Sequence, residues 1–155
     1  KRGVKVVIAR PFNIFGPGEY LLNGRVIPSI INAALTQQPF TIFGLGTHTR
    51  SYCYISDAVT QLLCLAVKGE AGQAYNVGNG KIEISLIALT DLASTIIQRY
   101  HEKNLAVVYQ EDANEQKGES SRQCPDIHKI LDLSPVPEVA LGEGIDRTFR
   151  YYTNV

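Results

Sequence analysis

Two arginines in this sequence have settings that suit the binding of a doubly charged ligand. Arg50 follows a glycine-containing loop and precedes a short aromatic segment, while Arg122 lies in a polar stretch four residues before Asp126. A guanidinium group presents a planar fork of N–H donors that matches phosphate oxygens. Two such groups from distant segments are what clamping a diphosphate requires, although most arginines are solvated surface charges.

Three further side chains could complete a binding site. Asn13 follows an apolar segment at residues 4–9, and ligands of open α/β sheets bind outside the carboxyl ends of strands. Its amide could hold a phosphate oxygen or a sugar hydroxyl, or it could bond nearby backbone. Phe43 could stack on a base or belong to the core. Asp126 could accept a ribose hydroxyl or cap a helix.

Periodic apolar residues predict the helices that position these side chains. Helices are expected over 26–35, from Ser56 or Asp57 to Lys68, from Ser85 to Tyr100, over 126–131 and around 145–152. Ser56 or Asp57 can cap the second helix, which carries one apolar face. That face is made of Val59, Leu62, Leu63 and Ala66.

Short segments rich in β-branched and aromatic residues predict the strands. They lie at residues 4–9, 41–43, 51–55, 74–78 and 106–109, and residues 110–121 are polar, as expected of a loop. A strand at residues 4–9 built to be flanked on both sides would leave an unprotected sheet edge, which favours self-association.

Composition excludes several classes of function. The 155 residues carry 15 basic and 15 acidic side chains, so no net field attracts nucleic acid or an anionic membrane surface. The sequence contains no apolar run of membrane-spanning length and no signal-peptide core, which predicts a cytoplasmic protein. The three cysteines and three histidines are too scattered for a metal site.

The order of the motifs resembles the C-terminal portion of the extended short-chain dehydrogenase/reductases that act on nucleotide sugars, the NAD-dependent epimerase/dehydratase family. The resemblance covers nearly the whole chain. It rests on six ordered matches: Arg10, Asn13, Gly16 and Pro17; Val26-Ile27-Pro28; Thr41-Ile42-Phe43-Gly44; Arg50 with Tyr54-Ile55-Ser56-Asp57; Tyr75-Asn76-Val77-Gly78; and Arg122 with Asp126.

This resemblance implies an α/β fold, the C-terminal part of an extended Rossmann-type fold with a small mixed substrate-binding domain. Residues 1–155 would form one unit, with the NAD-binding half absent. It also implies a role for each matched residue. Pro11 and Phe12 would lie near the nicotinamide. Asn13, Arg50 and Arg122 would bind the diphosphate, and Asn76 would close the substrate site. Ile27 would line the nucleotide pocket, and Thr41 and Phe43 would contact the base.

The family's glycine-rich dinucleotide fingerprint and its Tyr-x-x-x-Lys catalytic pair are both missing from the sequence. The resemblance places them upstream of Lys1, so the chain is expected to bind a UDP- or dTDP-sugar without catalysis. The parent would be a homodimeric NAD-dependent 4-epimerase, 4,6-dehydratase or UDP-glucuronate decarboxylase. The alternatives are a non-catalytic module that binds a nucleotide sugar or a protein, and a reductase for an uncharged substrate, against which the paired arginines argue.

Overall fold

The computed structural model describes residues 3–100, 104–111 and 120–153. Within these ranges it contains five helices: α1 (Val26–Thr36), α2 (Ile55–Lys68), α3 (Leu86–Ile97), α4 (His128–Leu131) and α5 (Leu141–Thr153). The strands are β1 (Ile8–Pro11), β2 (Ile14–Phe15), β3 (Phe40–Phe43), β4 (Thr49–Ser51), β5 (Cys53–Tyr54), β6 (Ala74–Val77), β7 (Glu83–Ser85), β8 (Val107–Gln110) and β9 (Arg122–Gln123).

The strands pair mostly in parallel, as expected of an α/β fold. Three two-stranded parallel ladders join β1 to β6, β2 to β5 and β3 to β8. A fourth sheet has the order β7-β4-β9, in which β4 is antiparallel to β7 and parallel to β9. Parallel neighbours need long crossover connections, and α1 and α2 lie within these crossovers.

Two hydrophobic clusters hold the elements together. The larger one joins α1, α3 and α5 to β3, with Phe149, Ile42 and Leu89 at its fully buried centre. The smaller one joins α2, α4 and β6 through Leu65, Ile130 and side chains of the strand. Short elements are therefore stabilised by packing against helices rather than by their own ladders.

Most of the predicted elements are confirmed. The helix expected over 26–35 ends at Thr36, and Gln37 follows it in the left-handed region with φ 56°. Ser85 caps α3 by accepting a hydrogen bond from the Ala88 amide at 3.2 Å. Tyr100, expected as the last residue of this helix, lies beyond the end of α3 at Ile97 and is 41% exposed. Of the loop expected over 110–121, residues 112–119 lie outside the described ranges.

Two predictions about strands are wrong. The first strand begins at Ile8 instead of residue 4, because the ladder with β6 begins at Ile8. The residues before Ile8 contact the loop after α2 instead. The Val6 carbonyl, for example, accepts from the Gly72 amide at 2.7 Å. The segment expected at 51–55 is divided between β4 and β5, and its last residue, Ile55, already belongs to α2.

The predicted cap of α2 is also wrong. The helix begins at Ile55, and its N-cap is Tyr54, whose side chain makes no capping bond. Asp57 lies within the first turn, where its carboxylate accepts a hydrogen bond from the distant Val139 amide at 3.0 Å. Its side chain therefore ties α2 to the segment that leads into α5.

The apolar face identified on α2 points outward. The residues buried on this helix are Ala58, Gln61 and Leu65. Val59, Leu62, Leu63 and Val67 are 43%, 39%, 63% and 83% exposed. We call Val59, Leu62, Leu63 and Val67 the outer face of α2.

Two glycines of α5 provide a matched test of core packing. A Cβ on Gly144 would lie 2.8 Å from Phe15 Cζ and 2.9 Å from Tyr54 Cδ2, whereas one on Gly142 would be 3.6 Å from Ile96 and Leu92. Gly144→Ala is expected to lower the free energy of unfolding by about 1–3 kcal/mol through overpacking. Gly142→Ala, in the first turn of α5 where the added Cβ meets only ordinary contacts, should change it by no more than roughly 0.5 kcal/mol. Urea denaturation measures both, and equal effects would contradict the packing described.

Candidate functional site

A cavity of about 1300 Å³ opens between α1, the β3–β8 pair and β4. Three residues predicted from the sequence to bind the ligand, Thr41, Phe43 and Arg50, line it. Thr41 and Phe43 come from β3, and Arg50 is the middle residue of β4. The structure therefore brings together an aromatic ring and a guanidinium group that are separate in sequence.

The aromatic ring in this cavity is available to a ligand. The Phe43 side chain is 60% exposed and lines the cavity. The loop after it turns through Gly44 and Gly46, with φ 66° and 62°. A Cβ on Gly46 would also lie 2.9 Å from Ile87, so the loop needs glycine there.

Polar groups line the same cavity as the ring. His48 and Glu111 line the cavity together with Arg50, whose Nη1 donates a hydrogen bond to the Thr49 carbonyl at 2.9 Å. Tyr52 also lines the cavity, and burial raises the pKa of its hydroxyl to about 12, although the nearby Arg50 charge opposes the shift. Tyr52 therefore stays protonated at neutral pH and is unsuited to act as a general base.

A second group of predicted residues lies at the carboxyl ends of β1 and β6. In this parallel pair Arg10 is opposite Asn76 and Pro11 is opposite Val77. The Phe12 amide continues the ladder by donating to the Val77 carbonyl at 2.9 Å. Pro11, Phe12 and Asn76 therefore lie at one edge of the sheet, where α/β proteins bind ligands.

Asn13 links this edge to the strand that carries Arg50. Its φ of 42° is in the left-handed region, which asparagine tolerates better than most residues. Its Nδ2 donates to the Ser51 carbonyl at 3.0 Å and to Gln123 Oε1 at 3.4 Å. The Asn13 side chain thus bonds the backbone of Ser51, which is the alternative that the sequence left open, and it also contacts the Gln123 side chain.

Gln61 fixes the loop that follows β6, a role that sequence reasoning missed. Its side chain is 1% exposed, and its amide both donates to the Gly78 carbonyl at 2.9 Å and accepts from the Gly78 amide at 2.8 Å. A Cβ on Gly78 would lie 3.3 Å from Phe12. The available signal was a polar residue at helical spacing between Ala58 and Leu65.

The predicted ligand contacts of Asn76 and Asp126 are occupied by protein groups. Asn76 Nδ2 donates to the Asp126 carbonyl at 2.8 Å. The Asp126 carboxylate accepts from the His128 amide at 3.0 Å and lies 2.7 Å from His128 Nδ1. The hydrogen bond from the His128 amide, and to a smaller extent the one with the His128 ring, holds the pKa of Asp126 below its usual value. The N-cap of α4 is Ile127, which makes no side-chain capping bond, so Asp126 bonds the first amide of the helix from one residue before the cap position.

Arg122 is not brought together with Arg50. Its guanidinium forms an ion pair with Glu83, with Nη2 2.8 Å and Nε 2.9 Å from Oε2. In the ladder Arg122 is opposite Thr49, whereas Gln123 is opposite Arg50. Successive residues of a strand project from opposite faces, so Arg122 and Arg50 lie on different faces of this sheet. Diphosphate binding by Arg122 therefore remains a prediction that this geometry does not favour.

Ile27 does not reach the cavity surface. It is 3% exposed and belongs to the larger hydrophobic cluster, while Val26 and Ser29 of the same helix line the cavity. Among the described residues, no group of three or more His, Cys, Asp or Glu side chains could hold a metal ion. Within those residues there is also no helix with the length and apolar character needed to cross a membrane.

The parallel strands and their crossover helices define a Rossmann-like α/β fold, and the cavity lies beside its β3–β8 pair. The model of the NAD dependent epimerase/dehydratase family matches residues 1–78. The chain belongs to this family.

Individual proteins with similar sequences or structures agree with the assignment to this family. The chain is 33% identical to UDP-glucuronic acid decarboxylase 1 of Xenopus tropicalis over 98% of its own length and 34% of the relative's. It is 29% identical to human dTDP-D-glucose 4,6-dehydratase, covering 95% of this chain and 41% of that one. UDP-glucose 4-epimerase of Thermotoga maritima, solved with UDP-glucose, superposes with a TM-score of 0.85 at 26% identity, over 98% and 47% of the two chains.

The chain thus spans about a third to a half of the length of these proteins. A further solved neighbour is UDP-glucuronic acid 4-epimerase from Bacillus cereus, in complex with a fluorinated UDP-sugar and NAD. It superposes with a TM-score of 0.80 at 25% identity and covers 97% of this chain and 46% of the other.

The amide clamp of Gln61 can be tested by stability. Gln61→Leu keeps the side-chain volume but leaves the buried Gly78 amide and carbonyl without partners, at a cost of about 1–3 kcal/mol for each group. We expect the free energy of unfolding, measured by urea denaturation, to fall by at least ~2 kcal/mol. Thr60→Ala, on the exposed side of the same helix, should change it by no more than roughly 0.5 kcal/mol. Equal effects of the two substitutions would contradict the clamp.

Proposed function

We propose that this chain is the substrate-binding portion of an NAD-dependent nucleotide-sugar epimerase or dehydratase, and that its cavity binds the nucleoside diphosphate of the substrate. One observation carries the proposal: the exposed Phe43 ring and the Arg50 guanidinium line the same cavity. A base stacks on an aromatic face, and a guanidinium fork bonds phosphate oxygens. A ligand with both parts, such as UDP or dTDP, fits this pair.

The same arrangement argues against the uncharged substrates of the reductase alternative. Arg50 is half-buried and lines the cavity. An apolar ligand would remove water from this guanidinium without offering an acceptor in return, which costs free energy. A diphosphate compensates for the lost hydration with charge-assisted hydrogen bonds.

The cofactor would be held mainly by residues outside this chain. NAD supplies hydride chemistry when bound, and its pyrophosphate is normally met by a glycine-rich turn between a strand and a helix. The sequence contains no such fingerprint and no Tyr-x-x-x-Lys pair. Pro11 and Phe12, at the carboxyl end of β1, would offer only an apolar surface to the nicotinamide. Binding of the sugar nucleotide without turnover is therefore the activity proposed for these 155 residues.

The class of reaction in the parent is proposed from likeness alone. Relatives of this chain include UDP-glucuronic acid decarboxylases and a dTDP-glucose dehydratase. The Asn-Gly-Arg-Val-Ile series at residues 23–27 also favours a decarboxylase or a dehydratase. We extend the proposal to UDP- and dTDP-sugars as substrates, and a cytoplasmic location remains a prediction of the sequence.

Binding of UDP and dTDP to this chain tests the proposal directly. We expect saturable heat in calorimetry with at least one of them. Arg50→Ala should weaken UDP binding by roughly tenfold or more because a hydrogen bond to a charged group is lost. Phe43→Ala should weaken it by about fivefold or more through lost stacking.

Arg150→Ala is the matched control, since Arg150 is an exposed arginine of α5 outside the cavity lining. It should leave the dissociation constant unchanged. Absence of saturable heat with both nucleotides would contradict the proposed function. Turnover of a UDP-sugar by this chain in the presence of NAD would contradict its restriction to substrate binding.

One face of the β1–β6 ladder is uncovered, and we propose that it packs against the NAD-binding half of the fold. Tyr75 and Val77 of β6 are buried in the smaller cluster, whereas Ile8, which projects from the opposite face, is 50% exposed. Val6, two residues earlier, is 56% exposed. Parallel sheets are normally covered on both faces. In this chain alone, the uncovered face would favour self-association, and the parent is proposed to be a homodimer.

Substitution of the uncovered face by charge tests this part of the proposal. The double variant Val6→Lys with Ile8→Lys should shift the chain toward monomer, because burying charged side chains on this face without partners costs free energy. Sedimentation at several concentrations measures the shift. Val136→Lys, at an apolar position that is 40% exposed elsewhere in the chain, serves as the control. A wild-type chain that stays monomeric at high concentration would exclude self-association through this face.

A further inference from the structure

Arg50 is held by a very short strand. β4 has three residues, and its neighbours β7 and β9 have three and two. Ladders of this length are marginally stable without other contacts. The position of the Arg50 guanidinium therefore depends on the side chains that fix β4 on the face of the sheet opposite Arg50.

Side chains on that other face join all three strands. Glu83 of β7 accepts a hydrogen bond from the Thr49 hydroxyl of β4 and the ion pair from Arg122 of β9. Its two carboxylate oxygens are both used, Oε1 by Thr49 and Oε2 by Arg122. We call Thr49, Glu83 and Arg122 the cross-strand cluster. It connects the outer strands of the sheet across the strand that carries Arg50.

The neighbouring residue on the same face is anchored as well. Ser51 is 1% exposed, and its hydroxyl donates to the carbonyl of the buried Asn79. Thr49 and Ser51 flank Arg50 on β4, so both neighbours of the arginine are fixed on the face away from the cavity. The Glu83 contacts join β4 to β7 through Thr49 and β7 to β9 through Arg122.

We propose that Glu83 and Arg122 act as positioning residues, which hold β4 so that Arg50 projects into the cavity, and that Arg122 does not itself contact the diphosphate. This proposal rests on the proposed function of the cavity. An ordered arginine loses less conformational entropy when it binds phosphate, and preorganisation of this kind raises affinity. The hydrogen bonds from Thr49 and Arg122 also keep the pKa of Glu83 below its usual value, so the carboxylate is ionised at neutral pH.

A charge exchange separates positioning from direct contact. Glu83→Gln and Arg122→Gln should each weaken UDP binding by roughly fivefold, the equivalent of one exposed ion pair. The double variant Glu83→Arg with Arg122→Glu restores opposite charges across β4, and we expect it to recover most of the wild-type affinity. If Arg122 bonded the diphosphate directly, a glutamate at position 122 would repel it and the double variant would bind more weakly than either single variant.

Uridine provides the matched ligand, because it carries the base without the diphosphate. Ligand-observed NMR should show uridine binding unchanged in all these variants, whereas a general loss of folding would weaken both ligands. Single variants with wild-type UDP affinity, or a double variant without recovery, would overturn the positioning role. Failure of the proposed function is distinct: wild-type protein would not bind UDP, or Arg50→Ala would bind it as the wild type does.

Discussion

The parallel pairing of strands is the constraint on which the candidate site depends. Parallel neighbours place their carboxyl ends at one edge, so loops that are far apart in sequence meet there. The β1–β6 pair brings Phe12 and Asn13 to the same edge as Asn76. The β3–β8 pair places Phe43 opposite Gln110. Each pairing requires a crossover, and the helices within these crossovers supply the core that keeps the short strands in place.

The helices show what periodicity predicts and what it leaves open. The patterns of α3 and α5 identified both helices, with Leu89, Ala93 and Phe149 buried as their spacing indicates. The pattern of α2 also identified a helix, but its apolar face is exposed. A repeat shows that one side of a helix is apolar, and it does not show which other element covers that side. The buried side of α2 consists of Leu65 with the small Ala58 and the polar Gln61, and Gln61 is satisfied there by the Gly78 backbone.

The site was partly predictable for a similar reason. The order of the motifs indicated Thr41, Phe43 and Arg50, and these three residues share a cavity. The pairing of Arg50 with Arg122 depends on strand register, which the sequence does not contain. A difference of one residue exchanges the two faces of a sheet, and it is Gln123 that lies opposite Arg50. Glu83, the observed partner of Arg122, is a single charged residue without a motif.

The exposed side of α2 also has consequences for local stability. This helix buries Leu65 on one side and exposes Leu63 and Val67 on the other. Covering the second side would remove apolar surface from water and raise the free energy needed to open the helix locally. Backbone amides of α2 would then exchange with deuterium more slowly in a covered form, while those of α3, already enclosed by the larger cluster, would change little. The deuterium-exchange rate of the α2 amides thus reports whether the outer face of α2 is covered.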